Sequence, residues 1–425
     1  MSPGEQIPHA AEVEQTLREI GRADLVVGIP SYNNARTIGH VVRAVMAGLA
    51  KYFSDQAAVI VNSDGGSKDG TPEVVRQAAL GDYRTVLATH PLRPIHRLTT
   101  PYHGVPGKGS ALRLVFEIAV RLQARACAVV DADLRSITPE WMDLLLSPIL
   151  REGFDFVAPL YRRHKYDGTI TNSIVYPLTR ALYGKRVRQP IGGDFGFSGR
   201  LAAHYLAQDV WHTDVARFGI DIWMTTTAIT GGFRVCQAFL GAKIHDAKDP
   251  GVDLSGMLMQ VVGSVFDLME SNYPIWSKVQ GSEPVPVFGL EYEVGLEPIR
   301  VNVARMLGIF RLGAEELGDL WQKILSPATF QAVRHIAGSP DADFRFPPDV
   351  WVSVIYDFAL AFHRRVIHRD HLLQALVPLY LGRTASFVLE TPESTADEVE
   401  AVIEELCLQF ERQKPDLVAR WEDEG

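Results

Sequence analysis

A short apolar run that ends in two carboxylates constrains the fold more than any other feature of the chain. Residues 126–133 read Ala-Cys-Ala-Val-Val-Asp-Ala-Asp, so Asp131 and Asp133 follow a run typical of a buried parallel strand. The carboxyl ends of such strands line the ligand crevice of an open sheet, where two acids need a counter-charge. The pattern predicts a divalent cation that holds phosphates. The alternative is that the two acids only start a loop and cap the next helix.

Strands alternate with helices over roughly the first 160 residues. Apolar runs predict strands at 24–30, 57–62, 85–88, 126–133 and 154–160. Periodic apolar positions predict helices at 37–52, 110–123 and 138–150, and a long loop is expected at 90–104. Such alternation indicates βαβ units on a mostly parallel sheet.

The pattern changes after a last strand at 234–240. From there on the sequence predicts helices at 253–271, 296–311, 314–325, 349–365, 367–381 and 395–412. We therefore expect an α/β domain over residues 1–250 and an α-helical C-terminal extension over residues 251–425.

Composition limits the partners and the compartment. The net charge is -9 and no cluster of lysine and arginine is present, which argues against nucleic acid as a partner. The 3 cysteines have neither disulfide nor metal-site spacing, which fits a reducing compartment. The N-terminus lacks the apolar core of a signal peptide, and no apolar run approaches the roughly 20 residues of a membrane span. We expect a cytoplasmic protein without a membrane span.

Two polar segments near predicted strand ends or helix starts are candidates for nucleotide binding. Residues 107–109 (Gly-Lys-Gly) precede a helix whose N-terminus can face an anion. They match neither the Walker A spacing nor Gly-x-Gly-x-x-Gly, which disfavours a P-loop NTPase and a dinucleotide oxidoreductase. Asp64 opens a glycine-rich loop and is a candidate to accept hydrogen bonds from a base or ribose. A solvated lysine and an Asx-type turn are the simpler interpretations.

Further polar residues are candidates whose simpler interpretation is a surface or capping role. His245 follows the last strand and is a candidate third ligand of the cation. Asp194 and Asp221 lie in glycine-flanked turns, where each either orients a substrate or caps a helix. Arg162 and Arg163 are candidates for bidentate pairing with a carboxylate, or belong to a solvated basic run.

Five segments, in this order, resemble the nucleotide-sugar-dependent glycosyltransferases of the GT-A fold. They are residues 29–34 (Ile-Pro-Ser-Tyr-Asn-Asn), 61–71, 107–109, 131–133 (Asp-Ala-Asp) and 189–194 (Gln-Pro-Ile-Gly-Gly-Asp). Asn34 stands where that family usually has an acid. The last segment, together with residues 218–221 (Phe-Gly-Ile-Asp) and His245, is similar to the retaining branch that makes glucosylglycerate, mannosylglycerate or glucosyl-3-phosphoglycerate.

This resemblance implies a GT-A fold, which is Rossmann-like with a mostly parallel sheet and flanking helices, and a role for each candidate residue. The resemblance implies that Asp131, Asp133 and His245 bind Mg²⁺ or Mn²⁺. It implies that Lys108, Asp194 and Asp221 take part in catalysis. The UDP- or GDP-hexose donor would contact Pro30, Tyr32, Asn34, Asp64, Gly107, Lys108, Ala132 and Gly193. A small acidic acceptor, such as glycerate or 3-phosphoglycerate, would contact Arg162, Arg163, Thr169 and Thr171. The resemblance also implies a homodimer, because such enzymes often use a helical extension for dimer contacts.

Two other functions stay open from the sequence. An inverting family 2 type transferase, acting on a polysaccharide, lipid-linked or other acceptor, would use Asp194 or Asp221 as general base. A nucleotidyltransferase or nucleotide-binding regulatory module would normally carry a glycine-rich, arginine-containing loop after the first strand. Residues 30–33 (Pro-Ser-Tyr-Asn) do not form such a loop, so this function is the least favoured.

Overall fold

The computed structural model describes residues 10–78, 95–101, 107–244, 255–292, 294–295, 299 and 301–423. The contacts within the chain divide it into two units, each discontinuous in sequence. The sheet unit comprises Met1–Arg162, Ile191–Asp246 and Val285–Val294, and the helical unit comprises Arg163–Pro190, Ala247–Pro284 and Gly295–Gly425. In this division the chain passes between the two units several times, and the α/β domain over residues 1–250 with a helical extension over residues 251–425 stays a prediction.

Strands in the described residues form one large sheet and one small pair. The strands are β1 (Leu25–Ser31), β2 (Ala58–Asp64), β3 (Ile95–Pro101), β4 (Ala126–Val129), β5 (Phe156–Arg162), β6 (Lys185–Arg186), β7 (Phe195–Ser198), β8 (Val235–Ala242), β9 (Glu283–Pro284) and β10 (Val287–Phe288). Eight of them form the sheet of the sheet unit, in the order β10-β8-β5-β7-β4-β1-β2-β3. Only β7 runs antiparallel to its neighbours among these described strands. The small parallel pair, β6 and β9, belongs to the helical unit.

Helices flank the sheet and build the second unit. In chain order they are α1 (Ala10–Ile20), α2 (Ile38–Tyr52), α3 (Thr71–Gln77), α4 (Lys108–Arg121), α5 (Glu140–Glu152), α6 (Tyr176–Tyr183), α7 (Gly199–Leu206), α8 (Ile220–Thr230), α9 (Ser255–Trp276), α10 (Val303–Glu316), α11 (Gly318–Ile324), α12 (Pro327–Ala337), α13 (Pro348–His363), α14 (Arg369–Glu390) and α15 (Ala396–Glu422). The mostly parallel sheet with flanking helices, followed by a helical C-terminal region, confirms the predicted fold class.

The central strands are buried because both sheet faces are covered. All residues of β2 and β4 are buried, as are all but one of β1. A cluster of apolar side chains joins these strands to α2 and α5. Near-continuous apolar runs are what a parallel sheet covered by helices requires, and this is why these strands are readable in the sequence.

Several elements differ from the expectation, among them β3, β7, α7 and α12. Residues 95–101 form edge strand β3 and pair with β2, although the region 90–104 reads as a loop, because an edge strand needs no continuous apolar run. Residues 195–198 form the short antiparallel β7 at the end of an expected glycine-rich loop. Helix α12 was not predicted, although Ser326 caps it and Pro327 opens it in the usual way. The strand expected at 85–88 lies outside the described residues.

Helix α14 is the exception to the expected lack of a membrane span. By length and composition alone, its 22 residues could cross a membrane. However, 72% of its most apolar window is buried inside the protein, as in a core helix. The sequence predicts a helix at 367–381 but no continuous apolar run, because Pro378 and Arg383 interrupt the apolar residues.

A buried guanidinium ties the helical unit together. The Arg180 side chain on α6 is fully buried and donates to Glu404, at 2.9 Å for Nη2 and Oε1, and from Nε to Glu411 at 2.7 Å. Both acids lie on α15, and Nε also reaches the Ser282 hydroxyl at 3.0 Å. This network connects three segments of the helical unit that are far apart in the sequence.

We expect Arg180→Met to lower the free energy of unfolding by about 2 kcal/mol, because Glu411 is left in a largely buried place without its partner. Glu404→Gln is the matched control. The Glu404 side chain is 46% exposed, so its loss should cost less than about 1 kcal/mol. Urea unfolding followed by circular dichroism measures both. Equal costs for the two variants would contradict the assignment of Arg180 as the centre of the network.

Candidate active site

The carboxyl edge of the sheet gathers a cluster of carboxylates and lysines. Asp131 follows β4, and its two carboxylate oxygens accept from two different ammonium groups: Lys108 at 2.9 Å and Lys243 at 2.7 Å. Lys243 also donates to Asp194 at 2.8 Å and to the carbonyl of Gly192 at 2.8 Å. The backbone N–H of Asp131 donates to Asp194 at 2.8 Å. These contacts place two of the expected site carboxylates side by side.

Lys108 links this pair to a third carboxylate. Its Nζ lies 3.2 Å from Asp221 Oδ1, and 3.4 Å from the carbonyl oxygen of Gly193. Asp221 sits in the first turn of α8, and Lys108 opens α4. Lys108, at the start of α4, therefore connects Asp131, which follows β4, with Asp221, which lies in the first turn of α8. The expected catalytic residues Lys108, Asp194 and Asp221 all lie in this cluster.

Burial and charge act against each other in these side chains. Burial favours neutral Lys108, but the negative charges of Asp131 and Asp221 outweigh it and raise its pKa. Burial also disfavours the Asp131 carboxylate, yet Lys108 and Lys243 hold its pKa well below the ordinary range. For Asp221, burial dominates and raises the pKa, with Asp131 adding to the shift and Lys108 opposing it.

Glycines allow the backbone to approach this cluster closely. A Cβ on Gly193 would lie 2.3 Å from Asp131 Oδ2, and Gly193 also has a φ of +89°. A Cβ on Gly109 would lie 1.8 Å from the Val215 carbonyl, and one on Gly107 would lie 2.5 Å from the Ala216 carbonyl. The two glycines around Lys108 therefore let the start of α4 pack against the turn before α8. Their role in packing is independent of any role in phosphate binding.

The expected donor loop is built around Asp64. Oδ2 of Asp64 accepts from the backbone N–H groups of Gly66 and Ser67 at 2.9 and 2.8 Å. Oδ1 accepts from the hydroxyls of Ser31 and Ser67 at 3.0 and 2.7 Å. The Asx-type turn, considered above as the simpler interpretation, is therefore present. A nucleotide contact by Asp64 stays a prediction, and it would have to share these oxygens.

Loops after β1 and β2 are held to each other beside this turn. Pro30 and Ser31 lie opposite Ser63 and Asp64 in the sheet. The backbone N–H of Asn34 donates to Thr71 at 2.8 Å, while its side chain accepts from the N–H of Tyr32 at 2.8 Å. The Tyr32 ring is 62% exposed. Ala132 accepts a hydrogen bond from Thr37 through its carbonyl, at 2.8 Å. The sheet unit thus offers an exposed aromatic ring on a pre-formed loop.

The expected acceptor residues divide between the two units. Arg162 ends β5 in the sheet unit and pairs with Glu291 at 3.3 Å. In the helical unit, Arg163 Nε lies 3.8 Å from Asp167, and the Thr169 hydroxyl hydrogen-bonds to the hydroxyl of Tyr380 at 2.5 Å. Thr171 is buried in the same unit and opens a π-helical turn over Thr171–Val175. A role of these residues in acceptor binding stays a prediction.

Asp131 does not by itself have the surroundings of a metal ligand, because both of its oxygens accept from ammonium groups. Among the residues that the structure describes, no three His, Cys, Asp or Glu side chains come together as a metal site. Asp133 is partly buried two residues further on, and His245 lies outside the described residues. Acids nevertheless outnumber bases in the described cluster, where Asp131, Asp194 and Asp221 stand against Lys108 and Lys243. A divalent cation would balance that excess.

The sequence interpretation missed Lys243 and Tyr161 as members of the site. Lys243 is buried directly after β8, and the Tyr161 hydroxyl on β5 donates to Asp194. A signal existed for the lysine: a charged residue directly after a mostly apolar strand needs a buried counter-charge. No comparable signal marks Tyr161, because a tyrosine in a strand normally belongs to the core.

Comparison with known proteins gives one family and a set of structural likenesses. Residues 26–205 match the family described as Glycosyl transferase family 2. No match was found among curated protein sequences. Glucosyl-3-phosphoglycerate synthase from Mycobacterium tuberculosis in complex with phosphoglyceric acid is 19% identical, with a TM-score of 0.43 and coverage of 64% of this chain and 85% of that chain. The same enzyme in complex with Mn²⁺, UDP and glucosyl-3-phosphoglycerate is 20% identical, with a TM-score of 0.42 and coverage of 63% and 85%.

Structural similarities with such low sequence identity and TM-scores assign neither a substrate nor a residue role to this chain. The family match is different in kind, because it spans β1 to α7 and includes residues 107–109, Asp131, Asp133 and Asp194. It therefore covers most of the lysine and carboxylate cluster described above. Residues 26–205 therefore match a glycosyltransferase domain of family 2 type on a GT-A-like sheet, and this match supports glycosyltransferase activity.

Proposed function

We propose that the protein transfers a hexose, glucose or mannose, from a UDP- or GDP-sugar to a small acidic acceptor such as glycerate or 3-phosphoglycerate, with retention of configuration. The observation that carries the proposal is the position of Lys108. It is a buried ammonium group at a helix start, held between Asp131 and Asp221 at the carboxyl edge of the sheet. Ligands of open α/β sheets bind at this edge.

Lys108 and Lys243 are proposed to serve the departing diphosphate. When the sugar–phosphate bond breaks, negative charge grows on the diphosphate, and positive groups already in place stabilise that charge without reorganising. Lys108 is fixed by two carboxylates and a carbonyl, so it is pre-oriented. The N–H groups at the start of α4 add a partial positive charge in the same place.

The donor base and ribose are proposed to bind along the loops after β1 and β2. Tyr32 offers an exposed ring for stacking on the base, and Asn34 and Asp64 are held beside it by the hydrogen bonds of their loops. Pro30, Gly107, Ala132 and Gly193 would contribute backbone surface. Pre-formed loops keep the ordering cost of nucleotide binding small.

The acceptor carboxylate is proposed to bind at Arg162 and Arg163, with Thr169 and Thr171. The Arg162–Glu291 pair supports this, because its two side chains are 36% and 51% exposed. An exposed ion pair of this kind contributes little free energy, so a substrate carboxylate can replace Glu291 at small cost. Asp194 and Asp221 would hold the acceptor hydroxyl near the anomeric carbon.

A divalent cation, Mg²⁺ or Mn²⁺, is proposed to be held by Asp133 and His245 beside Asp131. The support is the excess of carboxylates over lysines in the cluster, since an anionic diphosphate is repelled by a net negative site. When bound, the cation supplies charge neutralisation for the diphosphate. The homodimer and the cytoplasmic location also stay proposals.

The test is a thermal-shift screen of UDP- and GDP-sugars with Mg²⁺ or Mn²⁺, followed by activity assays on glycerate and 3-phosphoglycerate and NMR of the product anomer. We expect one donor to raise the unfolding midpoint of the protein only when metal is present. Asp133→Ala should stay folded, but metal should no longer change its response to the donor. Asp143→Ala, an acid on α5 outside the cluster, is the control. Unchanged turnover in EDTA would contradict the metal role, and an inverted product would favour the polysaccharide or lipid-linked alternative.

A further inference from the structure

A half-open cavity lies inside the helical unit, and Thr169, one of the residues proposed above for acceptor binding, forms part of its wall. It is formed by α14, α15 and the segment 169–173, and it encloses about 350 Å³ of space, part of it continuous with solvent. Its wall is largely apolar and includes Phe387, Ile403 and Leu406. Arg383 and Thr384, neighbours on α14, also line it.

Arg383 is the unusual member of this wall, because its charge is poorly compensated. Its side chain is 2% exposed, and its counter-charge is Glu390, the last residue of the same helix. Glu390 contacts a single nitrogen, Nη1, at the long distances of 3.3 and 3.5 Å. Nε of Arg383 has no hydrogen-bond partner in the described part of the chain. A bidentate pair would have used two nitrogens at shorter distances.

Glu390 is also shared with another donor. Its Oε1 accepts from the Ser386 hydroxyl, so the carboxylate is drawn partly away from Arg383. Burial accordingly lowers the pKa of Arg383, and the charge of Glu390 offsets this only in part. Because a buried donor without an acceptor is costly, a guanidinium in this state favours any acceptor that can enter the cavity.

We propose that this cavity is a binding site for a small carboxylate, held by the guanidinium of Arg383. The planar guanidinium matches a carboxylate in geometry, and the apolar wall suits a short alkyl group attached to it. The inner part of the cavity has room for only a few non-hydrogen atoms, which excludes a nucleotide. Thr384 is buried in the same wall, and its hydroxyl is available as a second donor. This site does not depend on the proposed transferase activity.

The test uses the full chain and sodium acetate as the probe. Acetate is titrated by isothermal calorimetry and by thermal unfolding, at an ionic strength held constant with sodium chloride, with acetamide as the neutral isostere. We expect saturable binding and a rise of the unfolding midpoint with acetate but not with acetamide. Arg383→Gln should weaken acetate binding by about 10-fold or more. Arg334→Gln, which changes an exposed arginine on α12 of the same unit, should leave acetate binding unchanged.

Glu390→Gln provides a second test that does not require Arg383→Gln to fold. It removes the charge that competes for Arg383, so acetate should bind about 3-fold tighter or more, an effect that a purely structural Arg–Glu pair cannot produce. Val402→Phe fills the cavity while keeping Arg383, and should abolish the response. Absence of saturable acetate binding in both the unchanged chain and Glu390→Gln overturns the proposal. Equal binding in Val402→Phe and the unchanged chain overturns it as well.

Discussion

Replacing Lys108 by methionine is expected to lower kcat by about 100- to 1,000-fold, while the KM for the sugar nucleotide changes much less. The ammonium group is already neutralised by Asp131 and Asp221 in the resting protein, so it adds little to ground-state binding. The stabilisation that the ammonium group provides grows when the diphosphate gains negative charge as the sugar departs. A group that acts mainly in the transition state appears in kcat rather than in KM.

Two variants make this expectation specific. Lys108→Arg keeps the charge but not the compact ammonium group, and should recover part of kcat. Lys51→Met removes an exposed lysine of the same unit, paired with Glu140 at 3.0 Å, and should leave the kinetics unchanged. Initial rates over a matrix of donor and acceptor concentrations separate the parameters. If Lys108→Met raised only the KM for the donor, Lys108 would be a ground-state binding residue.

Lys243→Met is expected to lower the free energy of unfolding by about 3–5 kcal/mol, the largest stability change of the variants considered. The side chain of Lys243 is 4% exposed and that of Asp194 is fully buried. Removing the lysine leaves Asp194 next to Asp131 with no cation between them, and like charges at this distance repel strongly in a buried place. Guanidinium unfolding curves at neutral pH give the measurement.

The double variant Lys243→Met/Asp194→Asn distinguishes charge from packing. If the loss comes from an unpaired buried carboxylate, neutralising Asp194 should restore about half of it or more. If the loss comes from the methylene packing of Lys243, the two substitutions should simply add. A destabilisation below about 1 kcal/mol for Lys243→Met alone would contradict the assignment of Lys243 as the centre of the cluster.

The sequence predicted most of the sheet and the acids at its edge, because a buried parallel strand leaves an unmistakable apolar run. It did not predict β3, β7 or the way in which the chain crosses between the two units, because short or edge strands carry no continuous apolar run. The segment 163–190 illustrates this: next to β5 in the sequence, it belongs to the helical unit.

For the site, the sequence predicted the acidic residues but not the ion pairs with lysine that neutralise them. The residue pair Asp131 and Asp133 suggested a cation, and the structure places two lysines on the oxygens of Asp131 instead. Asp64 is a similar case, since its oxygens are used by the turn that it opens. Hydrogen-bond partners that come from distant segments have no signature in a local pattern.

From the sequence alone follow the alternation of strands and helices, the glycines beside Lys108 and the acids at strand and helix ends, since backbone sterics and apolar periodicity act over a few residues. Only the tertiary structure decides that Lys243, 112 positions after Asp131, closes the cluster. It also decides that Arg383 lies in a cavity with a weak counter-charge. Both depend on which side chains burial brings together, and the electrostatic free energy of a buried charge is set by those neighbours.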